Sequence, residues 1–527
     1  MPRRRGITRR DFVRLGAIGA GGVLVGCRGP GSRGAIREGD LEHDSPLSTE
    51  SLAAIALDRL RRGGCSYGDI RILTTRRETI NGRDGRIESV EDSTERGFGV
   101  RALYKGAWGF AASPVASPAE VRRVADLAVE VARASGSRII EPVRLVDEPP
   151  HQDRVITPRV ENPFDVALRE RCDLLLSAME AMAGQSQIKT TRGSMWAQQD
   201  LKHFASTDGA AIDFDLLATH GEIEATAVAD DAFASRTFMT PYIREGYERV
   251  RGVDWVAQGT RVAQEALEAA RAPQIDPGQY DLVLDPANLA LTIHESCGHA
   301  TELDRALGYE ANYAGTSFLT PDKLGHFQYG SKHVCLIADN TEPGCLASTG
   351  YDDDGVAAQR WDIIREGVFV GYSDNREVAG RVGAKRSHGS SRADSWSSIP
   401  IVRIANIGLK PGAGSRDDLI ADVKNGILIE GRGSFSIDQR RYNFQFGGDA
   451  FWKIENGRIV GRARDVIYRD ITPDFWAKCD AVAGPEERGR FGFITCGKGE
   501  PGQRGWMTHA ASPARFREVE VIRGGAS

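Results

Sequence analysis

The chain has 527 residues, of which 41% are hydrophobic and 27% charged, and a formal net charge of −5. Residues 1–27 hold six arginines and one aspartate, so the remainder carries −10, which argues against a nucleic-acid partner, because that calls for a basic face. About 500 residues suffice for two or three domains with cores of their own, and 60 glycines beside 22 prolines point to tight turns rather than disorder.

The first stretch has the layout of an export signal. Arg3, Arg4, Arg5, Arg9, Arg10 and Arg14 precede an uncharged segment, Leu15 to Gly26, too short to cross a bilayer as a helix of ~20 residues. Thr8 to Arg14 carries the paired arginines and following phenylalanine, Phe12, of the twin-arginine route, which moves folded proteins. Leu24-Val25-Gly26-Cys27 has the form of a lipoprotein cleavage box, with Cys27 as the lipid-bearing residue. The expectation is a signal peptide over 1–27, a flexible Gly/Pro/Ser/Arg tether over 28–47, and a place in the cell envelope on the periplasmic side, with membrane contact only through a lipid at Cys27.

Three α+β units are expected beyond the tether. Residues 48–140 open with a helix marked by Leu52, Ile55, Ala56 and Leu60, followed by short strands around 69–75, 87–93, 97–103 and 107–112. Asn81-Gly82, Asp84-Gly85 and Lys105-Gly106 read as their turns, and Ser117-Pro118-Ala119-Glu120 starts a second helix. A proline-rich linker over 141–160 precedes a middle unit, 160–271, with helices over 163–183 and 253–270 and strands around 188–198, 202–207, 211–218 and 222–230. A second linker, 272–278, leads into a strand-rich C-terminal unit, 277–523.

That unit opens with His294-Glu295-Ser296-Cys297-Gly298-His299, inside an apolar helix that begins after Asp285-Pro286. Two imidazoles and a carboxylate beside the first are what a hydrolytic zinc site needs: nitrogen ligands and a general base for the attacking water. The spacing is unusual. At ~100° per residue, histidines five apart diverge by roughly 140° on an ideal helix, so a π-bulge or a break at Cys297-Gly298 is expected to bring both rings to one side. A third protein ligand is required, and Glu302, Asp304, His326, His333, His388, His509 and the cysteines are all candidates. Glu302 and Asp304 also stand close enough in sequence to orient the imidazoles. Cys297 reads as a core residue, and Asp352-Asp353-Asp354 as a β-turn or substrate-facing loop without the spaced oxygens of a calcium site. Cys65, Cys172, Cys297, Cys335, Cys345, Cys479 and Cys496 are an odd, scattered set and do not form a disulfide framework.

The chain resembles the TldD/PmbA family of bacterial zinc peptidases, its catalytic TldD-like branch, over residues 48–523. The resemblance rests on His294 to His299 with the acidic stretch to Asp304, on Asp352 to Val356, on Arg392 to Asn406, on Leu409-Lys410-Pro411-Gly412 and on Thr495-Cys496-Gly497-Lys498. It implies His294, His299 and Cys496 as ligands of Zn2+ and Glu295 as the general base of a metallopeptidase acting on short or unfolded peptides. Lys498, if near, would favour the Cys496 thiolate. The resemblance also implies a two-fold assembly, homo- or heterodimeric, with another subunit of the family, enclosing a cavity that admits peptides as an added strand. Two other readings of the residues are an exported zinc amidase and a non-catalytic, lipid-tethered peptide-binding subunit with a structural metal.

Overall fold

The computed structural model describes residues 48–184, 187–229 and 232–524. The expected signal peptide, Cys27 and the tether to residue 47 lie outside the described residues. Helix α1 (Thr49–Arg62) starts where Ser48 accepts a hydrogen bond from the Ser51 amide, and it buries Leu52, Ala53, Ala56 and Leu60, one face of an amphipathic helix. Strands β1 (Tyr67–Arg83), β2 (Arg86–Tyr104) and β3 (Ala107–Ser113) precede α2 (Pro118–Ser135), capped by Ser117. Next come β4 (Gln152–Ile156), α3 (Leu168–Ala183), β5 (Ile188–Ser206), β6 (Ala211–Ala229), β7 (Ala232–Met239), the short α4 (Glu248–Arg251) and α5 (Trp255–Arg271).

Several strands expected in pairs are single long strands. β2 stays in register with β1 straight through Glu91 to Arg96. Residues 94–96 separate the two strands expected there, but the ladder is made by the backbone, and polar side chains suit a sheet edge. Asp84-Gly85 and Lys105-Gly106 do turn, with φ of 47° and 73° and of 50° and 84°, the left-handed pair of a two-residue hairpin. Asn81-Gly82 instead is a register irregularity inside β1.

The segments expected as an N-terminal and a middle unit share one sheet. β1 pairs with β5 from Asp69 opposite Ser206 to Arg83 opposite Arg192, and the strand order among the described residues is β3-β2-β1-β5-β6-β4, with β7 on β6. Residues 141–160 therefore separate two sets of helices, not two sheets. Ile70, Ile72 and Ile80 lie on one face of β1, as alternate positions must; the first two pack under α1 and α2, and Ile80 under α3 and α5. A strand of 17 residues, at ~3.3 Å each, is long enough to carry both.

The opposite face meets the C-terminal part through buried charge. Arg101 binds Asp69 at 2.6 Å and Asp354 at 2.8 Å, and Lys202 reaches Asp353 at 2.6 Å. The Asp352–Asp354 run is thus a clasp between the long sheet and the rest of the molecule.

The C-terminal part is strand-rich, as expected. Among the described residues β8 (Gly278–Leu284) belongs to a nine-stranded sheet, parallel to Asn425–Glu430 on one side and antiparallel to Ala514–Arg523 on the other. It leads into α6 (Pro286–Ile293). A six-stranded sheet contains β9 (Leu336–Asp339), β10 (Arg360–Arg365), β11 (Val368–Phe369), β12 (Ile407–Leu409), β13 (Gly489–Lys498) and β14 (Gln503–Ala511), in the order β11-β10-β9-β12-β14-β13. Leu289 and Ile293 of α6 share one core with Leu282 and Ile427 of the first sheet and Leu336 and Ile407 of the second. The helix that carries the histidine motif is therefore held from both sides. All seven cysteines among the described residues are unbridged.

Asp285 caps α6, accepting from the amides of Asn288 at 2.8 Å and Gly431 at 3.0 Å. Burial pushes its carboxyl up to about 7, against the backbone hydrogen bonds that favour the anion. The unfolded value is about 3.9, so between these limits the folded chain keeps a proton that the unfolded chain releases, and stability falls as pH rises through that window. Asp285→Asn keeps the accepting oxygen. It should leave the melting temperature unchanged at about pH 4 and raise it at about pH 8; the same shift at both values would contradict this.

Candidate metal centre

The α-helix ends at Ile293, and His294–Gly298 form a π-helical turn in which the His299 amide bonds back to the His294 carbonyl, five residues earlier. His299–Thr301 then tighten into a 3-10 turn. A turn closed by i→i+5 bonds places residues five apart on one face, which resolves the awkward spacing of the motif. The two imidazole rings lie 5.0 Å apart, inclined at 79°. Gly298 packs closely against Ile404, where a Cβ would stand 3.0 Å from Cγ2.

Cys496 comes from β13, opposite Gly505 of β14. Its Sγ is 3.3 Å from His299 Nε2, and the donor atoms of His294, His299 and Cys496 all lie within 4.8 Å of one another. All three side chains are buried. Ligand atoms around a tetrahedral zinc with Zn–N of ~2.0–2.1 Å and Zn–S of ~2.3 Å stand ~3.3–3.8 Å apart, so the donor set and its spacing suit that ion.

Hydrogen bonds set both imidazoles for ligation. His509 Nδ1 lies 3.1 Å from the Ile407 carbonyl and 3.3 Å from the Ile407 amide nitrogen, and its Nε2 lies 2.9 Å from His294 Nδ1. With His509 Nδ1 donating to that carbonyl, its Nε2 accepts from His294 Nδ1, and His294 keeps the Nε2 lone pair for a metal. His299 donates from Nδ1 to Glu302 Oε2 at 2.8 Å, which frees Nε2 on the side of Cys496. Burial holds the pKa of both histidines well below the usual range, in the neutral form that binds metal. Phe493 stacks on His294 at 4.4 Å.

The charged groups around this core divide differently from what the sequence suggests. Lys498 does not touch the sulfur: it lies 2.6 Å from Asp304 Oδ1 and 3.1 Å from Glu302 Oε1, fully enclosed. Asp304 touches Lys498 rather than an imidazole. The cation beside the thiol is Arg403, whose Nη2 stands 3.1 Å from Cys496 Sγ and 2.6 Å from its carbonyl oxygen. Burial pushes the thiol up to about 11, and Arg403 opposes that shift. Gly505 leaves the room Arg403 needs, since a Cβ there would meet the guanidinium carbon at 2.5 Å. Glu295 is 6% exposed and forms an ion pair with Arg441; burial raises its pKa while Arg441 works against the rise.

Of the other candidate ligands, His326 and His333 are exposed, and His388 pairs with Asp374 at 2.6 Å and stacks on Trp361. His509 sits behind His294 rather than in the donor set. Cys297 is fully buried in the core. Arg403 lies within the stretch 392–406 that carries the family resemblance, and that was its one sequence signal. Arg441 had none, being a loop residue whose role depends on a contact 146 positions away.

Residues 277–505 match the family described as the PmbA/TldA metallopeptidase C-terminal domain, and residues 68–132 match PmbA/TldA metallopeptidase domain 1. A metalloprotease of Methanocaldococcus jannaschii is 30% identical over 421 residues, covering 79% of this chain and 89% of that protein. The metalloprotease TldD homolog of Haemophilus influenzae is 25% identical over 481 residues, 86% of this chain and 92% of its own length. Among solved structures, a Thermotoga maritima protein superposes with a TM-score of 0.72 at 18% identity, covering 90% of this chain and 100% of that chain. TldE from Thermococcus kodakarensis superposes with a TM-score of 0.65 at 16% identity, covering 89% and 100%. These two likenesses carry the mixed α+β fold.

Proposed function

The chain belongs to the PmbA/TldD family of metallopeptidases, and from that membership we propose that it is a zinc peptidase that hydrolyses short or unfolded peptides. One observation carries the reading: a ring nitrogen of His294, one of His299 and Cys496 Sγ all lie within 4.8 Å of one another, and Glu295, next to His294 in the chain, is a buried carboxylate. Three protein donors, not four, are brought together among the described residues, which suits an open catalytic site better than a closed structural one.

His294, His299 and Cys496 would hold the ion. When bound, zinc supplies Lewis acidity, polarising a scissile carbonyl and making water a stronger acid. The protein supplies the rest. Glu295 takes the proton of the attacking water and passes it to the leaving amine, and a pKa raised by burial makes it a better proton acceptor. Arg441 opposes that rise and so favours the ionised carboxylate. Arg403 steadies the thiolate, while His509 and Glu302 hold the ring orientations. Because β13 is the edge strand of its sheet, an extended peptide can pair beside the strand that bears Cys496.

The working form in this reading is a dimer with the same or another family member. The twin-arginine signal would export the folded chain, so that the thiol meets metal in the reducing cytoplasm, and Cys27 would carry a lipid. Cys27→Ser should then move the protein from the membrane fraction to the soluble one; unchanged fractionation would remove the anchor from the account. Cleavage of unstructured peptides against non-peptide amides, with and without chelator, tests the activity itself, and chelator-sensitive cleavage of amides alone would favour the amidase instead.

A further inference from the structure

On the side of β13 and β14 that faces the long sheet, there is a cavity of about 260 Å³. It is separate from the metal centre. Its wall takes Ile494 and Thr495 from β13, the two residues before Cys496, and none of His294, Glu295 or His299.

Its chemistry is cationic and aromatic. Arg77, Arg244, Arg392 and Arg504 line it, together with Trp196 and Trp506. Arg244 is 8% exposed; it gives Nε to the Leu346 carbonyl at 2.7 Å, and its Nη1 has no partner among the described residues. Arg392 donates Nη2 to the Ile404 carbonyl, and its Nε also lacks a partner there. Arg77 gives Nε to the neutral amide oxygen of Gln198 at 2.9 Å.

The carboxylates in the same wall are already engaged. Asp353 accepts from Lys202 at 2.6 Å and from the Ala393 amide at 2.8 Å. Asp394 accepts from the Ser398 hydroxyl at 2.6 Å and the Arg504 amide at 2.9 Å. Asp200 accepts from Thr75 at 2.8 Å and from Gln198 at 2.9 Å. Burial lowers the Arg244 pKa only to about 10, so the guanidinium stays charged at neutral pH.

A buried guanidinium with an unused donor and no carboxylate partner favours an incoming anion, and its planar fork fits a carboxylate. The aromatic floor sets the rest of the ligand's character. Trp506 lies under the Arg244 guanidinium at 5.7 Å and meets Trp196 edge to face at 5.3 Å. Organic surface, rather than a bare inorganic ion, suits those walls.

We propose that this cavity is the acid-recognition subsite of the peptidase, taking a carboxylate of the substrate, either an acidic side chain or the free C-terminus. This rests on the peptidase reading above. The link to the metal centre is covalent and short: Thr495 borders the cavity and Cys496 faces His299, so one strand presents both to the same extended substrate.

The test uses zinc-loaded Glu295→Gln protein and one unstructured peptide in three forms: with glutamate placed at successive positions, with glutamine in its place, and amidated at the C-terminus. Binding is followed by tryptophan fluorescence. At least one carboxylate form should bind about tenfold or more tightly than its neutral counterpart, and the form that does so identifies the source. Arg244→Met should bring that ratio towards one; Arg504→Gln, at an exposed position, does the same if Arg244→Met fails to fold. Equal binding of acidic and neutral peptides, a ratio that survives in both variants, or competition by inorganic phosphate alone would overturn the proposal. Cleavage by the wild-type protein separates the two claims. Hydrolysis without acid preference removes the subsite and keeps the peptidase, whereas acid-dependent binding without hydrolysis removes the peptidase and keeps the carboxylate site.

Discussion

Glu295→Gln should retain zinc at one ion per chain and lose peptide hydrolysis, with kcat lower by roughly 10²- to 10⁴-fold. Glu295 is not in the donor set formed by His294, His299 and Cys496, so the exchange leaves every ligand in place. Glutamine has the same shape and still offers an oxygen to Arg441, so the buried pair becomes a hydrogen bond rather than a cavity. What it loses is the ability to take a proton. Because the pKa of Glu295 is raised by burial, the native side chain is poised for that task, and no second carboxylate substitutes: Glu302 is bound to His299 and Lys498. Elemental analysis and steady-state cleavage of an unstructured peptide, on the same preparation, decide it. Undiminished turnover in this variant would sink the mechanism.

The second large effect is expected at the sulfur. Cys496→Ala leaves two imidazoles, too few to hold a catalytic zinc, so metal affinity and activity should be lost together. Loss of an outer-shell partner typically costs ~10–100-fold in metal affinity. Glu302→Gln should fall in that range, and Cys496→Ala well beyond it. Competition against a chromophoric chelator measures both. The alanine variant should keep its fold, because Arg403 still holds the Cys496 backbone carbonyl at 2.6 Å. Full zinc occupancy in Cys496→Ala would mean that the third donor lies elsewhere.

The motif was legible because its chemistry is local. His294, Glu295 and His299 sit on one helix, and the clash between a five-residue spacing and the α-helical period itself pointed to the π turn found at His294–Gly298. Cys496 could be singled out only through family resemblance, since seven candidates of its kind were scattered along the chain. Arg403 and Arg441 act through contacts made by loops and strands far apart in sequence, and no periodicity marks such positions. Lys498 shows the same limit from the other side: being two residues from the sulfur in sequence does not place its ammonium there, because three buried carboxylates, Glu302, Asp304 and Glu310, draw it away.

At the level of the fold, helices and hairpin turns were readable from apolar spacing and from Asp-Gly and Lys-Gly pairs. The length of β2, β5 and β6 was not. Their polar middles are satisfied by ladder partners that the local pattern does not reveal, and the same long-range pairing joins two expected units into one sheet.

The central claim is that a single zinc ion, held by His294, His299 and Cys496, makes this chain a peptidase. Titrating zinc into metal-stripped, full-length protein while following cleavage of an unstructured peptide tests it most directly. Activity should be absent at the start, rise in proportion to added zinc, and level off at one ion per chain. Cleavage that is already complete in the stripped protein, or that ignores added zinc, would contradict the account.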